Sequence, residues 1–323
     1  MKLGVFLVLF QNLPLEQALD KACSYGLEAV EIGCGGYPGN AHCKPGELLK
    51  DKELIKRFKK TIEDRGLIIS ALSVHGNPIH PQKEIAEQFH KDWEDTVRLA
   101  SELEVPVVIS FSGCPGDSEN SKYPNWVTCA WPPDYQAILK WQWEERIIPY
   151  WKKQADFANS YGIKKIALEL HPGFAVYSVD TLLKLRKAVG PTIGANLDPS
   201  HLFWQGVDPV SAIRTLGKEN AIFHFHAKDT YIDPINTSVN GVLDAKPYTQ
   251  VLERSWIFRS VGYGHDYKVW KDIVSMLRTV GYDYVMSIEH EDGLASIEEG
   301  LSKAVSFLKE VMLKEAPAVP WWT

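Results

Sequence analysis

Cysteine is scarce in this chain. Its 323 residues hold five, at Cys23, Cys34, Cys43, Cys114 and Cys129. The number is odd and no pair has CxxC spacing, the pattern of reduced thiols in a cytoplasmic protein rather than of a disulfide framework. No run approaches the ~20 apolar residues that span a bilayer, so no membrane association is expected. The opening MKLGVFLVLF has one basic residue and no small-residue cleavage site, and a helical pattern follows it directly. It reads as a first buried strand rather than a signal peptide. Basic charge is also in deficit: 35 Lys and Arg stand against 41 Asp and Glu, for a net charge of −6. Phosphate backbones need a basic footprint, so nucleic acid is not an expected partner. No GxGxxG follows the first strand, which argues against a dinucleotide-binding fold, and the absence of a P-loop argues against a phosphorylated ligand.

What the chain does have is alternation. KLGVFLVLF, LEAVEIG, LIISALSVHG, VPVVISFSG, KKIALELHP, TIGANLDPSH, NAIFHFHAKD and DYVMSIEHED are apolar runs of strand length. Each is followed by a stretch of helical period, among them residues 51–66, 82–103, 137–162, 178–190 and 266–281. Asp51 and Ser178 stand where helix caps belong, and Gly66 stands at a helix end. Strict strand–helix alternation requires a parallel sheet, and eight such units suit a closed (β/α)8 barrel, a TIM barrel of α/β class. The expected organisation is one catalytic domain over residues 1–313 and a tail over 314–323. Residues 33–50, 112–136 and 229–264 are too long for simple turns. All three follow strands, so they belong on the C-terminal face, where long loops act as lids or binding loops. Tyr123, Trp126 and Trp131 mark the second as a lid or partner surface, and the aromatic end PAVPWWT is a candidate subunit interface.

In such a barrel the chemistry sits at the C-terminal ends of the strands. Four successive strands end in Glu169, Asp198, His226 and Glu289. Three carboxylates and an imidazole form a mostly hard-oxygen ligand set suited to Mn2+, Mg2+ or Co2+, with Zn2+ also open. Like charges that close together are costly without a cation. His224 shares a face with His226 but lies two residues deeper, so it is expected to support the site from below. His75, Glu31, Lys228, Asp229 and His265 also fall at the mouth. His171 shares a face with Glu169 and is a further substrate contact.

ALELHPG, NLDPSHLFWQG, IFHFHAKD, FRSVGYGHD and SIEHED resemble the xylose-isomerase-like (β/α)8 superfamily, the sugar phosphate isomerases and epimerases, over nearly the whole chain. The resemblance implies one divalent metal on Glu169, Asp198, His226 and Glu289, with Mn2+ first. It implies substrate contacts from His201 and Arg259, and Glu169 and Glu289 as the acid–base pair that moves a proton next to a carbonyl through an enediolate. The expected reaction is isomerisation or epimerisation of a keto-sugar. A lyase acting by β-elimination on a 3-keto-glycoside or cyclitol is the alternative, and a silent sugar-binding subunit is a third. The endonuclease IV branch needs further histidines, where this chain reads Ile109-Ser110-Phe111 and Trp256-Ile257-Phe258, so that activity is not expected. Homo-oligomers are expected, a dimer or tetramer, with a hetero-oligomer open for a deglycosidase subunit.

Overall fold

The computed structural model describes residues 1–315, 318, 319 and 322. Among these residues there are ten strands: β1 (Lys2–Phe6), β2 (Ala29–Gly33), β3 (Ile68–Ser73), β4 (Val107–Ser110), β5 (Lys165–Glu169), β6 (Ile193–Leu197), β7 (Ile222–Ala227), β8 (Asp229–Ile232), β9 (Trp256–Arg259) and β10 (Val285–Ile288). All but β8 and β9 close into one parallel barrel, in the order β1-β10-β7-β6-β5-β4-β3-β2. This is the expected (β/α)8 architecture. Most of the aromatic tail proposed as an interface lies outside the described residues.

The strands read as near-continuous apolar runs because each is buried on both faces, by the outer helices and by the barrel interior. The helix caps follow the sequence. Asp51 accepts from the backbone N–H of Glu53, and Ser178 closes a capping box with Thr181. Inside, Ala71, Val107, Ile109, Ala167 and Phe223 form an apolar plug. The register skips Ser70 between Ile69 and Ala71, and Phe223 between Ile222 and His224. Such bulges re-aim side chains. Phe223 fills the space over Gly194, where an added Cβ would lie 2.4 Å from its ring.

Three local expectations are corrected. The first strand stops at Phe6, and Leu7–Phe10 wind into a 3-10 turn that buries Leu7, Leu9 and Phe10. The helix expected over 137–162 begins earlier, at Pro133, and relaxes to a π turn at Gln142–Ile147 before continuing to Ser160. The connection 229–264 holds structure of its own: β8 and β9 pair antiparallel around the short helix Pro234–Asn240. All three long connections do lie at the C-terminal ends of their strands. No helix among the described residues is long and apolar enough to cross a membrane.

Candidate metal centre and substrate cleft

Glu169, Asp198, His226 and Glu289 converge at the mouth, each offering a ligand atom, all within 4.8 Å of one another. Glu169 is the last residue of β5, and Asp198 caps the short helix Pro199–Trp204 through its other oxygen, Oδ1, which accepts from Ser200 N at 2.8 Å. His226 lies on β7, and Glu289 follows β10 directly.

The imidazole of His226 is held in one orientation. Its Nε2 faces Glu31 at 2.8 Å and 3.0 Å, while its Nδ1 lies 3.2 Å from Glu289 and 3.4 Å from Glu169. Glu31, from β2, is fully buried and also accepts from Ser73 at 2.5 Å and Ser287 at 2.8 Å. Burial would raise its pKa. The charge and hydrogen bond of His226, with help from His224 and Ser73, bring it down to about 2. An anionic Glu31 fixes the proton on Nε2 and leaves Nδ1 to the centre, the arrangement by which a carboxylate orients a metal-binding histidine.

Two ligand atoms mark the same point. His226 Nδ1 is buried without a hydrogen-bond partner, an arrangement that native interiors otherwise avoid, and Asp198 Oδ2 faces the Lys228 ammonium at 3.0 Å and His201 Nε2 at 3.4 Å. Three buried carboxylates (Glu31, Glu169 and Asp198) and the partly buried Glu289 surround it. Lys228, 2% exposed, supplies one compensating cation, 2.6 Å from Glu289, 3.0 Å from Asp198 and 3.0 Å from Glu291. Burial opposes its charge, yet these carboxylates hold its pKa well above the usual lysine range. A divalent ion together with Lys228 offsets three of the four carboxylate charges. Its donor set of three oxygens and one nitrogen fits a hard or borderline cation.

The other expected residues fall in two groups. His75 and His201 join the centre through Glu169, at 3.0 Å to Oε2 and 3.2 Å to Oε1; His201 also lies 3.4 Å from Asp198. Asn196 adds a third donor to Glu169 at 3.0 Å. His224 sits behind it, between Asn196 at 3.0 Å and Ser70 at 3.1 Å, as a support from below. His171 stands one layer out, its ring 4.1 Å from that of His201. Its Nδ1 is 2.6 Å from the carbonyl of Pro172. Only an N–H can satisfy that contact, so Nε2 is left as an acceptor. Burial first, then the nearby charge of His201, lower its pKa to about 3 and keep it neutral.

Arg259 lies apart from the carboxylates. Its Nε donates to Asp292 at 3.1 Å and its guanidinium lies over Tyr263. Asp229 and His265 build the loop instead. Asp229 accepts from the backbone of Gly262, Gly264 and His265 and from the rings of His265 and Trp270. Glu31 and Asn196 are the residues whose importance the strand pattern understated.

Family comparison agrees with the barrel and its motifs. The xylose isomerase-like TIM barrel family matches residues 19–311, and the chain belongs to that family. It is 40% identical over 315 residues to the uncharacterized protein YfiH of Bacillus subtilis (strain 168), covering 97% of this chain and 99% of that protein. Among solved structures it is similar in fold to a D-tagatose 3-epimerase-like protein (TM-score 0.63, 20% identity, 96% of this chain and 98% of the other). It is also similar to the probable 3-DHS dehydratase AsbF of Bacillus anthracis (0.63, 17%, 96% of this chain and 99% of the other). A third is the IOLI protein with a bound zinc atom (0.62, 18%, 96% and 98%). At these identities the structures speak for the fold alone.

Proposed function

We propose that the chain is a divalent-metal-dependent isomerase or epimerase of a keto-sugar or sugar derivative. The observation that carries this is the convergence of four ligand groups, with ligand atoms within 4.8 Å of one another, around the unpartnered His226 Nδ1. Glu169, Asp198, His226 and Glu289 hold the ion, with Mn2+ first and Mg2+, Co2+ or Zn2+ admissible. When bound, the metal polarises the substrate carbonyl and so acidifies the neighbouring C–H.

The protein's own groups do the rest. Glu289 Oε2 is tied to Lys228, while Oε1 accepts no hydrogen bond from the described residues. Oε1 is therefore the oxygen available to take a proton. Glu169 is held by His75, His201 and Asn196 and faces the same space, placed to return a proton after a donor shifts. Lys228 and His201 offer N–H groups to the substrate's oxygens, and His171 Nε2 accepts from a hydroxyl. Arg259 reaches a substrate only at the outer rim. A second reading, β-elimination by a lyase, is favoured by the same asymmetry, because one free carboxylate oxygen suffices to start an elimination. Five free thiols fit a cytoplasmic location. We infer a homo-oligomer, with a hetero-oligomer open if a deglycosidase subunit is involved.

The test is metal analysis of the purified protein beside Glu289→Gln, followed by exchange of substrate C–H protons with deuterated water over a keto-sugar panel. About one divalent ion per chain, with exchange lost in the variant, is expected. A chain that stays metal-free when divalent ions are supplied would sink this reading. An unsaturated product or released aglycone would move it to the lyase.

A further inference from the structure

Beside the four-ligand centre, a second group of ligand atoms stands at the mouth. Glu169, His171 and His201 each offer one, and these lie within 4.8 Å of one another. His171 follows Glu169 by two residues at the exit of β5, and His201 stands in the short helix Pro199–Trp204, three residues after Asp198. The sequence therefore sets one imidazole close behind each of two carboxylate ligands. The fold brings the two rings together, their centroids 4.1 Å apart and their planes tilted by 54°.

Glu169 belongs to both groups, and its oxygens face different ways. Oε2 lies 3.4 Å from His226 Nδ1, on the side of the first ion, and Oε1 lies 3.2 Å from His201 Nε2. Zinc–ligand bonds of ~2.0–2.1 Å put the corners of a tetrahedron ~3.3 Å apart, so Oε1 and Nε2 already have the spacing of two zinc ligands. A backbone tether sets the third. His171 Nδ1 lies 2.6 Å from the Pro172 carbonyl, so the proton stays on Nδ1 and Nε2 keeps its lone pair. A group that holds the far ring nitrogen is the device that Glu31 applies to His226. Phe111 packs edge-on against His171, and Phe258 against His201, which fixes both planes. Both histidines also border a cavity of about 360 Å³, an entry path for an ion. The two groups differ in donor type. Three oxygens and one nitrogen suit Mn2+ or Mg2+, whereas two imidazoles and a carboxylate are a zinc set that leaves a coordination position open. The first ion and Lys228 leave one of the four carboxylate charges for a second ion to meet.

We propose that Glu169, His171 and His201 form a second, nitrogen-rich metal site for Zn2+, with Glu169 bridging it to the oxygen-rich centre. The site is independent of which reaction the centre performs. Its bridge rests on reading the four-ligand centre as a metal site; the second site itself does not.

The test uses the untagged full chain, stripped with a chelator and titrated by calorimetry, with metal content measured after gel filtration. Mn2+ should bind at about one per chain and Zn2+ at about two. Zn2+ added to Mn2+-loaded protein should raise the total to about two ions per chain. His171→Ala should lower zinc from about two to about one per chain, while Glu289→Gln should weaken the first ion and spare the second. Co2+ gives a reading that needs no variant: its ligand-field bands should grow in two phases, one for each donor set. Zinc that stays at about one per chain in both wild type and His171→Ala would overturn the proposal. So would Zn2+ that only replaces Mn2+ one for one, or a single cobalt phase that saturates at one ion. Two zinc ions that persist in His171→Ala would place the second ion elsewhere and overturn it as well. The two readings fail separately. A single zinc ion lost in His171→Ala and kept in Glu289→Gln removes the four-ligand centre and leaves the second site without its bridge. A single ion lost in Glu289→Gln and kept in His171→Ala removes the second site and leaves the first.

Discussion

The two glutamates of the centre differ in how they are held. On the β5–β6 side, Glu169 accepts from His75, His201 and Asn196, and Asn196 is backed in turn by His224 and Ser70. On the β7–β10 side, Glu289 hangs from Lys228 alone, beside His226 Nδ1, with one oxygen unclaimed. Burial by itself would raise both carboxyl pKa values. His201 and His75 hold Glu169 well below the usual range, and Lys228 with His226 does the same for Glu289. The charge state is therefore the same on both sides and the freedom to move is not. One side is built to place a carboxylate, the other to let one react.

The sharpest way to break this contrast is a pair of substitutions. Glu289→Gln should cut turnover by about 10³-fold, within the range for loss of a positioned base, with little change in the melting transition. Glu169→Gln should cost turnover, metal content and fold together. The amide leaves His75, His201 and Asn196 poorly matched, and losing hydrogen bonds to a charged group costs roughly 1.5–3 kcal/mol. Turnover and urea melts on both variants decide the matter. A stable Glu169→Gln beside an unstable Glu289→Gln would reverse the assignment.

Glu31 tests the support behind the ligands. In Glu31→Gln the carboxylate no longer fixes the His226 proton on Nε2. Metal affinity should fall about 10–100-fold, while activity returns at saturating metal. Calorimetric titration with Mn2+ checks the first part and a metal-dependence curve the second. An activity loss that metal does not rescue would mean that Glu31 acts on the substrate side.

The position of Glu31 was legible in the sequence and its role was not. Strand alternation and the rule that barrel chemistry sits at strand C-termini bring Glu169, Asp198, His226 and Glu289 to one mouth. The same rule puts Glu31 there, but it does not distinguish a ligand from the group that orients one. That difference depends on which ring nitrogen of His226 each carboxylate meets across the barrel. Asp229 shows the opposite failure. It follows Lys228 at the mouth and reads as a site residue, yet backbone N–H groups from the glycine-rich turn more than thirty residues later fold around it. The β8–β9 pair was hidden for a related reason: short strands inside a long connection carry too few residues to show a period.

Lys228 gives a smaller and more ambiguous-sounding effect with a definite sign. Its ammonium lies among the carboxylates that would bind the ion, so Lys228→Met removes a competing positive charge. Metal affinity should rise by a few-fold, on the order of 1 kcal/mol, and substrate affinity should fall because an oxygen loses its donor. Chelator competition reads the first and KM the second. A drop in metal affinity would mean that the lysine organises the carboxylates rather than competing for them.

The smallest expected effect separates the buried imidazoles by pH. Burial is the first cause that lowers His224 to about 4 and His171 to about 3, against about 6.5 in an unfolded chain. As pH falls from 6.5, the unfolded chain takes up protons that the folded chain refuses, so stability declines toward pH 4. The slope is at most about 1.4 kcal/mol per pH unit for each histidine. His80 and His290, also lowered chiefly by burial, add to it. His226 runs the other way. Burial opposes its charge, but Glu31 and Glu289 raise its pKa well above the usual value. In metal-free protein its stabilisation is complete below about 6.5 and is lost as pH rises through the folded pKa. The lowered carboxylates contribute their loss only below about 4.5, Glu31 down to about 2. The window from 6.5 to 4.5 therefore belongs to the neutral histidines. His224→Gln keeps an amide between Asn196 and Ser70 and removes the titrating ring. Urea melts of chelator-treated protein across that window should show a flatter acid slope in the variant. An unchanged slope would place the titration elsewhere and leave His224 a purely geometric support for Asn196 and Glu169.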